Sequence, residues 1–153
     1  MPREITEIVD GETLLTAMLE VVPECAGPVS KLSLEFDNDG RTERFVDPYA
    51  VLREAFACPL YLPALRAAQP DPELLARCFE FIEAGLQSPV LLVHQAMYFE
   101  TLEPLMDGFD LLRAAIPRMG PTAYHRTVRM LKGVNADLDQ LVDVLRHGED
   151  RCA

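Results

Sequence analysis

The sequence holds no CxxC pair, no HExxH or ExxH, no GxSxG and no glycine-rich phosphate loop. Those absences remove the local signatures of zinc sites, di-iron sites, nucleophile elbows and P-loops. No stretch of about 18 uncharged apolar residues occurs, so a membrane-spanning helix is not expected. The opening, MPREITEIVDGE, has no basic start followed by an apolar run, so a secretory signal is not expected either and the cytoplasm is the default compartment.

The four cysteines, Cys25, Cys58, Cys78 and Cys152, are scattered. The first three are expected to be free thiols acting as small buried apolar groups, with Cys152 exposed in the tail. The three histidines, His94, His125 and His147, have no acid or thiol at metal-ligand spacing. Two acid pairs, Glu80 with Glu83 and Glu100 with Glu103, stand three residues apart, which is common on solvated helix faces. No catalytic residue, metal or cofactor is expected, and the chain does not read as an enzyme.

Charge is present in quantity and is lopsided. The 153 residues carry a net charge of −11. Residues 1–50 account for −7 and residues 51–110 for −6, whereas residues 111–153 carry +2. The first two-thirds would repel nucleic acid and anionic lipid, which leaves a basic protein as the natural electrostatic partner. A chain of this length suits one domain and buries roughly 70% of its unfolded surface, so neither metal nor disulfide is needed for folding.

Twelve prolines punctuate a series of helical patterns. DGETLLTAMLEVVPE places Leu14, Leu15, Met18, Leu19 and Val22 on one face and stops at Pro23. Residues 31–46 read either as a short helix ending near Asp37 followed by an acidic loop, or as a small hairpin; the helix is preferred. PYAVLREAFAC starts a helix at Pro48, and PLYLPALRAAQP reads as a short piece broken by Pro63. DPELLARCFEFIEAGLQ is the clearest helix, with Asp71 as cap and Pro72 at its first position. SPVLLVHQAMYFETL follows, with Ser88 as cap and Pro89 first. It is apolar nearly all round, as a central buried helix is, with His94, Tyr98 and Thr101 as a narrow polar stripe. PLMDGFDLLRAAIP is weakened by Gly108. GPTAYHRTVRMLKG turns Tyr124, Val128 and Leu131 inward and His125, Arg126, Arg129 and Lys132 outward. NADLDQLVDVLRHG closes the series, with residues 1–10 and 149–153 expected to fray. Helix pairs with short Pro/Gly joints define an all-α single domain, a helical bundle or HEAT-like stack.

Glu100 stands out because it projects with Val93, Ala96 and Met97 rather than with the polar stripe. A carboxylate turned toward apolar neighbours must find a partner or reach water. The expected solutions are capping of a neighbouring helix or pairing with Arg53 or Arg77. His94 and Tyr98, four residues apart, are candidates to line a groove beside Glu100 and Glu83.

The stretches LLTAMLEVVPECAGPV, EFDNDGRTERFVDPYAVLREAF and CFEFIEAGLQSPVLLVHQAMYFETLEP, spanning about residues 12–105, resemble a family of small helical bacterial proteins of uncharacterised function. Those proteins are similar to immunity factors of polymorphic toxin systems. The matching positions are Pro23, Glu24, Glu83, Phe99, Glu100 and Leu102. The resemblance implies a protein-binding role, immunity-like or antitoxin-like, and implies that Glu83 and Glu100 define the fold or face a partner. On this reading Asp37, Asp39, Glu43 and Asp47 are the favoured partner contacts. A structural or regulatory module acting as a homodimer is the alternative.

Overall fold

Local signals start most of the helices. In the computed structural model, which describes residues 4–38 and 46–133 (side chains of 33–38 excepted), Asp10 caps helix α1, Gly11–Val21. Its carboxylate accepts from the Thr13 amide at 2.8 Å, while the Thr13 hydroxyl accepts from the Asp10 amide at 3.0 Å. This reciprocal pair satisfies two backbone donors at once. Leu14, Ala17, Met18 and Val21 form the buried stripe. A 3₁₀ turn, Pro23–Cys25, leads into α2, Ala26–Asn38. The helix preferred over a hairpin at Lys31–Asp37 is therefore present. Residues 39–45, where the acidic loop was expected, lie outside the described residues.

Asp47 caps the next rod, which runs through α3 (Pro48–Val51), a π-helical stretch (Leu52–Tyr61) and α4 (Leu62–Arg66). The expected break at Pro63 does not occur. Pro63 stands where the π stretch passes into α4, so its missing N–H falls at the point where the hydrogen-bond ladder changes step. Pro59 lies inside the π stretch, whose wider i→i+5 bonding relieves the clash that an α ladder would impose on the ring. The following α5, Pro72–Leu86, is capped by Asp71 as its sequence indicates, with Glu73 and Leu74 amides donating to one carboxylate oxygen.

α5 is the centre of the molecule and touches α1, α6 and α8. Its buried face, including Leu75, Cys78, Phe79, Phe81 and Ile82, packs against a ring cluster. Phe56 stacks on Tyr61 at 5.3 Å, and Phe81 and Phe79 meet these two edge-on at 5.1 and 5.7 Å. Such offset and edge arrangements suit the ring quadrupoles. The buried Tyr61 hydroxyl donates to the Thr101 carbonyl at 2.9 Å, so the ring's polar tip is satisfied.

α6, Leu91–Met97, continues as a second π stretch, Tyr98–Leu102, then a 3₁₀ segment, Glu103–Asp107. Gly85 lies at the α5–α6 crossing, where an added Cβ would collide with the Met97 side chain. Three sequence expectations fail here. The helix starts at Leu91 rather than Pro89, although the Ser88 hydroxyl accepts from the Val90 amide as a cap would, while donating to the Ile8 carbonyl at 2.6 Å. The helix is also not wholly buried, since Leu91 and Phe99 are 60% and 45% exposed. Thr101, assigned to the polar stripe, is fully buried; its hydroxyl turns back to the Met97 carbonyl at 2.6 Å.

Gly108 separates the 3₁₀ segment from α7, Phe109–Ala115, ending one helix rather than weakening the middle of one. A turn at Ile116–Arg118 leads to α8, Pro121–Lys132. His125, Arg129 and Lys132 are exposed on α8 and Arg126 is half-buried, while Ala123, Thr127 and Leu131 face the core and Tyr124 and Val128 are half-buried. The expected last helix, NADLDQLVDVLRHG, lies outside the described residues. At the other end residues 4–9 form no helix or strand but make contacts with the fold: Ile8 is buried, and the Thr6 amide and hydroxyl donate to Glu20. Among the described residues the fold is all-α, and no helix is long and apolar enough to cross a membrane.

Candidate functional site

The two singled-out glutamates do structural work of different kinds. Glu83, on α5, reaches the start of α8, where Gly120 and Pro121 supply no side-chain cap. Its Oε1 accepts from the Thr122 amide at 2.5 Å and its Oε2 from the Ala123 amide at 3.0 Å. The carboxylate therefore caps a helix 39 residues away in sequence, against the positive end of that helix's dipole. Gly120 makes this approach possible, since a Cβ there would lie 2.6 Å from Glu83 Oε2.

Glu100 pairs with Arg53, one of the two arginines expected for it. Nη2 and Nε of Arg53 donate to the two carboxylate oxygens at 2.6 and 3.3 Å. The pair joins the two π-helical stretches, beside the Tyr61–Thr101 bond. The other expected arginine, Arg77, takes Glu24 in a bidentate pair at 2.7 and 2.8 Å. Arg77's hydrogen bonds hold the Glu24 carboxyl below its usual range.

The four residues expected to line a groove or to be buried polar groups, Glu83, His94, Tyr98 and Glu100, face different neighbours. Glu83 lines a groove of about 470 Å³ with Ile5, Phe79, Glu80 and Met119. Tyr98 lines a separate one of about 760 Å³ with Met106, Arg126, Arg129 and Met130. The Arg126 guanidinium sits over the Tyr98 ring at 4.7 Å, within cation–π range. His94 lines neither. Its Nδ1 lies 3.0 Å from the Ser88 carbonyl, which can only accept, so the proton is on Nδ1.

Of the four favoured partner contacts, Asp39 and Glu43 lie outside the described residues, and Asp37 falls in α2 with its side chain undescribed. Asp47 is half-buried and its carboxylate accepts from the Tyr49 amide at 3.0 Å as the α3 cap, so one of its oxygens is already committed to the fold.

Two surfaces were missed. Residues 4–30 hold six carboxylates and no lysine or arginine. Glu4, Glu7, Asp10, Glu12 and Glu20 are all exposed, and among the described residues only Glu24 in that run pairs with a cation. The count was legible in the sequence; that the N-terminal segment lies beside α1, through Thr6 and Glu20, was not. The second surface is the apolar ridge of Leu91, Leu92 and Phe99, with Tyr49 stacked on Phe99 at 6.5 Å.

The thiols divide differently from expectation. Cys25 and Cys78 are buried, which pushes each up to about 12, whereas Cys58 is exposed on the π stretch. Among the described residues no group of three or more His, Cys, Asp or Glu is placed to hold a metal ion. No family model, curated protein or solved structure matches the chain.

Proposed function

We propose that this chain is a protein-binding domain that engages a basic partner through an acidic surface, and that its most specific form is an immunity-type or antitoxin-like inhibitor. The observation that carries the reading is the exposed N-terminal face, five carboxylates with no cation among them from Glu4 to Glu20. Such a face raises the encounter rate with a basic surface and disfavours acidic ones, while apolar contacts supply most of the affinity. The Asp10 carboxyl is held below its usual range, first by the Thr13 amide, so it stays charged while it caps α1. In sequence the acidic character continues through Asp37, Asp39, Glu43 and Asp47. The resemblance to immunity factors supports the inhibitor form, although Glu24, Glu83, Glu100 and Leu102 of its motif are engaged in the fold and Phe99 is the one large apolar position left exposed.

The test is affinity capture of the tagged chain from its native lysate at low and high salt, alongside a Glu4→Lys, Glu7→Lys, Glu12→Lys variant. One abundant basic protein, retained by wild type, weakened by salt and lost from the variant, is the expected result. A partner held equally by both chains in high salt would overturn the acidic-face reading.

A further inference from the structure

The larger groove lies where α8 ends. Gly133 closes that helix and lines the groove beside Arg126, Arg129 and Met130, and Tyr98 and Met106 line it from the preceding elements. α8 carries Arg126, Arg129 and Lys132 and no carboxylate, which makes it the most cationic of the described helices. Glu103 also lines the groove but is exposed, so its carboxylate can turn to water.

Residues 134–153 lie outside the described residues, and their sequence matches this groove. In VNADLDQLVDVL, Leu138, Leu141, Val142 and Leu145 recur at helical spacing. The charges of that stretch are Asp137, Asp139 and Asp143, with no lysine or arginine among them. Asn135, two residues past the end of α8, is a good cap for a new helix. So short a helix is marginal in isolation, and its apolar stripe needs a surface to bury against.

We propose that residues 135–147 fold back along α8 as its antiparallel partner and cover this groove. Both helices rise by about 1.5 Å per residue from a turn at Gly133 and Val134, so residues equally far from the turn face each other. Leu138 then meets Met130, Asp139 meets Arg129, and Asp143 reaches Arg126 one turn further on. Leu141 and Leu145 turn toward Met106 and Tyr98. Apolar groups are set on apolar groups, and two carboxylates on two guanidinium groups, at either side of one turn. Covering Arg126 and Arg129 removes a cationic patch that would repel a basic protein. The contact itself does not depend on what binds the acidic face.

Hydrogen exchange of the full chain, read by mass spectrometry, tests this. Amides of residues 138–145 are expected to exchange at least ~10-fold more slowly than in an unfolded chain of that sequence, and Arg129→Asp is expected to remove the protection. Arg129 is exposed, so its replacement leaves the buried face of α8 intact. Adding Asp139→Arg to Arg129→Asp is expected to restore the protection. With Cys58 and Cys152 changed to Ser, oxidised glutathione is expected to close an intramolecular disulfide in a Met106→Cys, Leu141→Cys chain and not in an Ala76→Cys, Leu141→Cys chain. Exchange of residues 138–145 at unfolded-chain rates in wild type would overturn the proposal. So would protection indifferent to Arg129→Asp, or a Met106→Cys, Leu141→Cys chain that links no better than the Ala76→Cys control.

Discussion

Replacing Glu83 should cost far more than its half-exposed position on α5 suggests. Two α8 amides, of Thr122 and Ala123, terminate on its carboxylate, and no side chain of α8 can substitute. A hydrogen bond to a charged group contributes ~1.5–3 kcal/mol, and loss of a cap costs about 1 kcal/mol. Taking the low end for a site open to a groove, Glu83→Ala is expected to lose about 2 kcal/mol. Glu83→Gln keeps one accepting oxygen but turns an NH₂ toward the second amide, and is expected to lose about 1 kcal/mol. Glu80, three residues earlier, makes no hydrogen bond or ion pair with any described residue, so Glu80→Ala should stay within ~0.5 kcal/mol of wild type. Urea unfolding followed by circular dichroism reads all three; with a slope of ~2 kcal/mol/M, the alanine variant's midpoint falls by about 1 M. Gly120→Ala should damage the same contact, because its Cβ occupies the carboxylate's position. A Glu83→Ala midpoint within roughly 0.2 M of wild type, the resolution of such curves, would refute the capping role.

Other expectations follow from the same contacts. Arg53 is 54% exposed and Glu100 13%, so the two halves of their pair are not equivalent. Glu100→Ala leaves only a solvated guanidinium and should cost about 1 kcal/mol or less, whereas Arg53→Ala strands a mostly buried carboxylate and should cost about 2 kcal/mol in the same unfolding assay. Thiol labelling of the native protein should modify Cys58 rapidly and reach Cys25 and Cys78 only on unfolding, because burial keeps both protonated; rapid modification of all three would contradict the burial pattern. The Glu24 carboxyl lies below its usual 4.5 in the folded chain, so its pair with Arg77 contributes above that value and is lost as pH falls through the folded value. The melting-temperature gap between wild type and Glu24→Gln should therefore be steady near neutrality and close in acid; a gap unchanged at pH 3, taken as about a unit below an ordinary carboxylate, would count against it. Thr127 is fully buried and its hydroxyl has no hydrogen-bond partner among the described residues, so Thr127→Val should stabilise by about 1 kcal/mol.

The helices were legible wherever the signal was local. Asp71 with Pro72, and Pro48 at a helix start, are chemistry of one turn, and each appears as expected. Gly108 and Pro63 were misjudged for a physical reason. A glycine's cost does not say whether the chain will bend there, and a proline need not break a rod where the ladder changes from π to α bonding. The exposed side of α6 was unreadable because a helix apolar all round does not declare which apolar residues face water. Glu100 could be matched to an arginine by charge and burial alone, but Glu83 could not be assigned to α8, since nothing local links residue 83 to residue 122. The different neighbours of Glu83, His94, Tyr98 and Glu100 were unreadable for the same reason: helical spacing puts residues on a face, and only packing decides what that face meets.

The central functional claim is that charge on the N-terminal face selects a basic protein partner. The most direct measurement is the on-rate of the captured partner to wild type and to the Glu4→Lys, Glu7→Lys, Glu12→Lys variant across a salt series. The account predicts an on-rate for wild type that falls by ~10-fold or more between low and high salt, and a variant that is slow throughout. Equal on-rates for the two chains, with no salt dependence, would contradict it.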